Sequence, residues 1–494
     1  MRAIAVFSPT HGSGKSWFAT ALCRRLAQEG WKVAPFQSQS EVSACYRIDQ
    51  NVDVSYSIAW QAWAAGIPVT SNLNPVLLKP QITPSLQYQL YIQGRGIGTV
   101  SRSDYYQNYY GIAKPLIEEC LEKVQEKYNL LVFDTYRYGL YDPSQQDTDE
   151  NFELLKHSSF HPASVVLIDC KHGGALNQLW GFWQRLSEEN RKMIRGVVFN
   201  QWEGDRRLCD TETRWVKEHL NRPVLGYIPP LSNNFFDPES PLTFDTNTNN
   251  PAQNQLKIQV LRLPNQNNFD DLDALKSEPS IQLSYFDPAE QLGYPDAIII
   301  PHTSDAIADL EYLRKYNCHQ QLQNYAAAGG TILGLCDGAN LLAKQIIPTN
   351  PNIEPQTALG LFPFNCELQS TYTSEPCQIL SDLPFPGLPV QGETFYQGKM
   401  SFLQKKNCSF LFSDKELGVI NQGKNIWAAY IRGLFNNGPW RRFWLNDLRQ
   451  KRGLSSLPTG ISDFTERQES ILDSLADHLD QYVDISFLLT DYDY

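Results

Sequence analysis

The chain opens on "AIAVFS", apolar almost throughout, and a glycine-rich turn follows at once. Uninterrupted apolar runs of this length read as strands buried on both faces. The next stretch, "SWFATALCRRLAQEG", puts Phe18, Leu22 and Leu26 on one helical face and ends on Gly30, a fitting C-cap. "NLLVFD", "ASVVLID", "IRGVVFN" and "PVLGYIP" repeat the strand pattern, each entering a loop at its C-terminal end. Strands that alternate with helices predict a doubly wound α/β domain around a parallel sheet. Ligands in such sheets sit beyond the carboxyl ends of the strands.

"TFDTNTNNPAQNQL", residues 243–256, is polar, Asn-rich and lacks either period, so it reads as a linker. Beyond it "KIQVLRLP", "DAIIIP" and "TILGLC" begin a second α/β set. Shorter strands and turns follow, then helices around "PWRRFWLNDLRQKRGL" and a terminal helix in "SILDSLADHLDQYVDISFLL". The predicted organisation is a domain over 1–242, a linker over 243–256 and a second domain over 257–494, with no internal repeat.

Composition narrows the function classes. A chain of 494 residues is too long for one ordinary core, and its 42% hydrophobic content suffices to fold more than one. A net charge of -12 argues against a sequence-independent grip on nucleic acid. Ten cysteines without CxxC pairs read as reduced thiols of a cytoplasmic protein. "MRAIAVF" is too short for a signal peptide, and no run approaches the ~18 apolar residues of a membrane helix. Neither nucleic acid nor membrane is expected as a partner.

Candidate chemistry lies at two strand ends. In "SPTHGSGKSW", residues 8–17, Gly14-Lys15-Ser16 close a Walker A loop between the first strand and the first helix. Gly12, Gly14 and the helix N-terminus are expected to cradle the phosphates of ATP. Lys15 would reach the β/γ-phosphates and Ser16 would ligate Mg²⁺. The strict pattern has glycine at position 9, where this chain has Pro9. Mg²⁺ needs a carboxylate as well; Asp134, Asp53 and Asp169 lie near strand ends, although such residues are often only turn caps. Asn200, after "GVVFN", is a candidate reader of the adenine edge.

The second strand end is "TILGLCDGANLLAK", residues 331–344, where a strand runs into Gly334-Leu335-Cys336-Asp337-Gly338 and a helix-like pattern. That is the layout of a nucleophile elbow, with Cys336 as the nucleophile and Asp337 and Gly338 shaping the turn. The alternative for Cys336 is a buried, unreactive thiol.

At nearly full length the chain resembles the cobyric acid synthase family, glutamine-dependent amidating enzymes of cobalamin biosynthesis. The resemblance rests on "GWKVAPFQSQS", "IAWQAWAAGI", "NPVLLKPQ", "GIGTVSRSDYYQ" and "GVVFNQWEGDRRL" in the first half. In the second half it rests on "IQVLRLPNQNNFDDLDALKSEP", "AIADLEYLR" and "GLFNNGPWRRFWLNDLRQKRGL". It implies a dethiobiotin-synthetase-like P-loop ATP domain followed by a class I glutamine amidotransferase-like α/β domain. It also implies a reaction: ATP phosphorylates a small-molecule carboxylate, a corrinoid side chain in the family, and ammonia freed from glutamine attacks the acyl phosphate. Asp134 stands where the family has a metal-site glutamate, Asn200 takes the adenine position and Cys336 is the glutaminase nucleophile.

Departures from the family cluster at the chemistry. The segment that carries the family's catalytic histidine reads "AAYIRGLF", with Arg432 in its place. Arginine stays protonated and cannot shuttle a proton. It can at most lower the thiol pKa as a nearby cation. The loop after "AIIIP" begins with His302 where the family has an oxyanion-hole glycine; His302 is either a substitute base or a side chain that plugs the site. Tyr396 in "ETFYQG" replaces another family histidine. In the first half "QSEVSACY", Arg137 and Lys171 replace residues on the substrate and metal face. Three functions follow as alternatives: an amidating enzyme that works from ammonia or with weak glutaminase activity, a non-catalytic nucleotide- or corrinoid-binding relative, and an amidoligase for another carboxylate.

Overall fold

The computed structural model describes all residues other than 11, 43, 50–51, 82–86, 136–149, 157–159, 205, 232–253, 268, 403–407 and 491–494, and the side chains of 150 and 206–208 are likewise outside it. The chain divides into two compact units, Met1–Ser240 with Gln468–Tyr494, and Pro241–Arg467.

The first unit is built on a six-stranded parallel sheet. Its elements are β1 (Arg2–Phe7), α1 (Lys15–Gln28), β2 (Val33–Phe36), α2 (Tyr56–Ala64), β3 (Leu130–Asp134), β4 (His161–Asp169), α3 (Ala175–Arg185), β5 (Ile194–Asn200) and β6 (Val224–Ile228), in sheet order β6-β5-β4-β1-β3-β2. Every strand predicted from an apolar run is present. The strands are buried along nearly their whole length because helices cover both faces, which is why they carry no alternation. Chain order reverses at β1, the place where doubly wound sheets bind ligands. Register then sets the rim: Val6 pairs with Asp134, and Asp169 with Asn200.

The second unit has a seven-stranded sheet. Its strands are β7 (Leu256–Leu261), β8 (Ile281–Phe286), β9 (Ala297–Ile300), β10 (Thr331–Leu335), β13 (Cys408–Phe410), β14 (Gly418–Asn421) and β15 (Ile426–Ala429), in sheet order β8-β7-β9-β10-β15-β14-β13. The first five are parallel and the last two antiparallel. A long hairpin, β11 (Phe364–Leu380) and β12 (Pro389–Phe402), pairs with the short β16 (Ile431–Arg432). Helix α4 (Gly438–Lys451) follows.

One expectation is corrected. The second domain does not run to 494, since α5 (Phe464–Tyr482) passes into the first unit from Gln468 onward. The cause is charge and shape: Asp473 and Glu469 pair with Arg24 of α1, Asp480 pairs with Arg25, and His478 packs edge-on to Trp17. The helix-like run after Cys336 is a 3-10 helix, Cys336–Leu342. Gly338 lies so close to the end of β9 that a Cβ there would be 2.1 Å from the Pro301 carbonyl, and Leu341 and Leu342 leave the turn into the core. Most of the expected linker, 243–253, lies outside the described residues. Among the described residues no helix is long and apolar enough to cross a membrane.

Candidate functional site

The phosphate loop leaves β1 and closes on the N-terminus of α1. Gly12 and Gly14 take the left-handed conformation, with φ 72° and 90°. Gly14 is required twice, because a Cβ there would also lie 2.5 Å from Asn200 Nδ2 and from Trp17 Nε1. The two retained glycines thus carry the turn, and Pro9 precedes it. Lys15 and Ser16 are buried in the first turn of α1. The Ser16 hydroxyl donates to Asp134 Oδ2 at 2.9 Å, joining the first turn of α1 to the end of β3. Gln61 of α2 donates from Nε2 to the same carboxylate oxygen at 2.8 Å.

Buried polar atoms normally have partners. Ser13 Oγ and Gln61 Oε1 are buried here without any hydrogen bond. Two orphaned oxygens around a hydroxyl–carboxylate pair, above an N-terminal helix turn, fit a nucleotide phosphate with a hard cation such as Mg²⁺.

The other candidate residues have protein partners of their own. Asp53 is paired: its carboxylate takes two bonds from Arg47, at 2.7 and 2.9 Å, inside a two-stranded ribbon. Asn200 stands at the loop, and one N–H of its Nδ2 donates to the Ser13 carbonyl at 2.7 Å, so the amide braces the loop. Asp169 accepts from the Lys171 backbone N–H at 2.9 Å and lies 3.1 Å from His172 Nδ1, a local turn cap. Lys171 is exposed, and Arg137 lies outside the described residues.

At the second strand end Cys336 has φ 48°. A left-handed non-glycine residue at the end of a central strand is the strained turn of a nucleophile elbow. Its thiol is fully buried. Burial pushes the Cys336 thiol well above its ordinary pKa; Asp271 and Asp337 add to this and Arg432 opposes it. Asp337 accepts from the Gln397 and Gly398 N–H groups at 2.9 and 3.2 Å, which ties the elbow to β12. Tyr396 packs on Tyr430, with centroids 5.1 Å apart.

Arg432 is clamped. Its Nε and Nη2 donate to Asp270 at 3.1 Å each, and Glu393 lies 3.7 Å from Nη1. Asp271 accepts from the Gly433 N–H at 2.6 Å, and burial together with the Asp270 charge raises its carboxyl to about 8. His302 is buried against Phe395, at 5.2 Å between centroids, and its Nδ1 accepts the Asp337 backbone N–H at 3.3 Å. In a nucleophile elbow that N–H is one of the two oxyanion donors. The imidazole therefore covers the Asp337 N–H.

Sequence reasoning missed Gln61, Asp270 and Asp271. A lone glutamine amid Ile58, Ala59, Trp60 and Ala62 was the available signal for the first. The acidic run "FDDLD" was the signal for the others.

Comparison with known proteins agrees with this two-part arrangement. Residues 4–244 match the family described as the CobQ/CobB/MinD/ParA nucleotide binding domain, and residues 257–440 the CobB/CobQ-like glutamine amidotransferase domain. The chain is 38% identical to the cobyric acid synthase of Nostoc punctiforme, across 99% of this chain and all of that protein. It is 37% identical to the cobyric acid synthase of Trichormus variabilis, across 99% of this chain and all of that protein.

Proposed function

We propose that this chain, which belongs to the cobyric acid synthase family, forms amides on corrinoid side-chain carboxylates with ATP, and that it draws on free ammonia because its glutaminase half is impaired. One contrast carries the reading. The Ser16 hydroxyl still meets Asp134 at the phosphate end, whereas His302 covers the Asp337 N–H at the elbow.

The nucleotide end needs little covalent chemistry of its own, since phosphoryl transfer rests on positioning and charge neutralisation. The loop N–H groups and the α1 N-terminus hold the triphosphate, and the Lys15 ammonium offsets its charge. Ser16 and Asp134 would hold Mg²⁺, which when bound neutralises the charge on the moving phosphoryl group. A substrate carboxylate oxygen takes the γ-phosphoryl group and ADP leaves. Ammonia then adds to the acyl carbon, the C–O bond to phosphate breaks, and the departing hydrogen phosphate carries off one proton.

The glutaminase half lacks two parts of its chemistry. Arg432, held by Asp270, neither accepts the thiol proton nor returns one to leaving ammonia. The high thiol pKa leaves little thiolate to attack.

The test is ADP release and corrinoid mass gain with Mg-ATP, cobyrinic diamide and glutamine, ammonium or neither. Ammonium should support turnover, glutamine little, and Cys336→Ser should leave the ammonium rate unchanged. No ADP with either nitrogen source removes the proposal. A second reading, a non-catalytic nucleotide- or corrinoid-binding relative, is favoured by the loss of Asp53 to Arg47. ATP binding by calorimetry without turnover in any arm would select it.

A further inference from the structure

We propose that Gln61, rather than Asp53, completes the divalent-cation end of the phosphate site. This rests on the Mg-ATP reading above and adds a residue to it. Helix α2 is apolar and buried along almost its whole length, and Gln61 is 0% exposed within it. Burying a carboxamide is costly unless its groups are bonded.

Half of Gln61 is bonded. Nε2 donates to Asp134 Oδ2 at 2.8 Å and lies 3.5 Å from the Ser16 carbonyl. Asp134 Oδ2 thereby receives both Gln61 and the Ser16 hydroxyl and is fixed between them. The other half, Oε1, is buried with no hydrogen-bond partner. Exchanging O and N in that amide would set Oε1 against the Asp134 carboxylate, so the assignment is fixed by charge.

A buried oxygen with two free lone pairs, beside a hydroxyl and a carboxylate, is the donor set of a hard divalent cation. Among the described residues no group of three His, Cys, Asp or Glu is placed to hold a metal, so carboxylates alone do not build this site. Asp53 is spent on Arg47. Gln61 thus acts in two ways: Nε2 positions Asp134, and Oε1 supplies a neutral oxygen. It is a positioning and binding residue for the cation and takes no part in bond making.

The test uses the full chain and Mn²⁺, followed by electron paramagnetic resonance with and without ATP, alongside metal-free ATP binding in EDTA read by tryptophan fluorescence. Gln61→Met is expected to weaken Mn²⁺ binding in the presence of ATP by about tenfold or more, as loss of a supporting group does, and to leave metal-free ATP affinity unchanged. Gln61→Glu is expected to retain Mn²⁺ and to show a larger Mn²⁺-induced rise in Tm than the parent, because the cation relieves two facing carboxylates. Unchanged Mn²⁺ affinity in Gln61→Met overturns the inference. If that variant does not fold, a Mn²⁺-induced Tm rise in Gln61→Glu no larger than the parent's overturns it equally. A parent that binds neither ATP nor Mn²⁺ overturns the phosphate-site reading and this inference together; a parent that binds both, with Gln61→Met unchanged, overturns this inference alone.

Discussion

Combining His302→Gly with Arg432→His should restore glutamine hydrolysis, and neither change alone should do so. His302→Gly removes the ring that accepts the Asp337 N–H at 3.3 Å and returns that donor to the oxyanion position. One oxyanion-hole donor is worth about 100- to 1,000-fold in kcat. Arg432→His places a titratable ring at the end of β16, where Asp270 now takes two bonds at 3.1 Å and would orient the imidazole instead. A positioned general acid–base contributes about 100- to 10,000-fold.

Each part is useless without the other, so the pair should exceed the product of the single effects, as residues that act as a unit do. Stability is expected to survive. Breaking a fully buried ion pair costs about 3–5 kcal/mol, but Asp270 keeps 21% of its side chain exposed and gains a new partner. The assay is glutamate release from glutamine, with capture of Cys336 by an electrophilic glutamine analogue read by mass spectrometry. The reasoning is refuted if the folded double variant gains no more than the singles, or if the parent already forms glutamate steadily through Cys336.

Lys15→Ala should abolish ADP release in every arm of the amidation assay while leaving Tm close to the parent value; residual turnover near the parent rate would remove the phosphate-loop assignment. Gly14→Ala should lower both Tm and ATP affinity, since the left-handed φ of 90° costs a side chain about 1–2 kcal/mol and the added Cβ meets Asn200 Nδ2 at 2.5 Å; differential scanning fluorimetry with and without ATP reads both. Asp271→Asn should become increasingly stabilising as pH rises. The folded chain holds the Asp271 proton up to about 8 while an unfolded carboxylate loses it near 3.8, so the parent loses stability across that window. Urea unfolding from pH 4 to 8 checks the sign, and an advantage that shrinks with rising pH contradicts the buried neutral carboxyl.

The sequence by itself determined the two α/β sheets, the glycine-rich loop and the elbow. Each is a local property: unbroken apolar runs, glycines at left-handed positions, and a strand leading directly into Cys-Asp-Gly. It also located Arg432, because the flanking "GLF" segment carries its own register. What it left undecided depends on residues far apart in the chain. Asp53 lies near a strand end like Asp134, yet a two-stranded ribbon turns it onto Arg47, whereas β-sheet register brings Asp134 level with Val6 and within reach of Ser16. Gln61 reaches Asp134 only because α2 packs beside it, 73 residues away in sequence. That His302 meets the Asp337 N–H depends on one backbone hydrogen bond across 35 residues. Periodicity reports which face of an element is buried; which distant polar atom meets it there is set by tertiary packing alone.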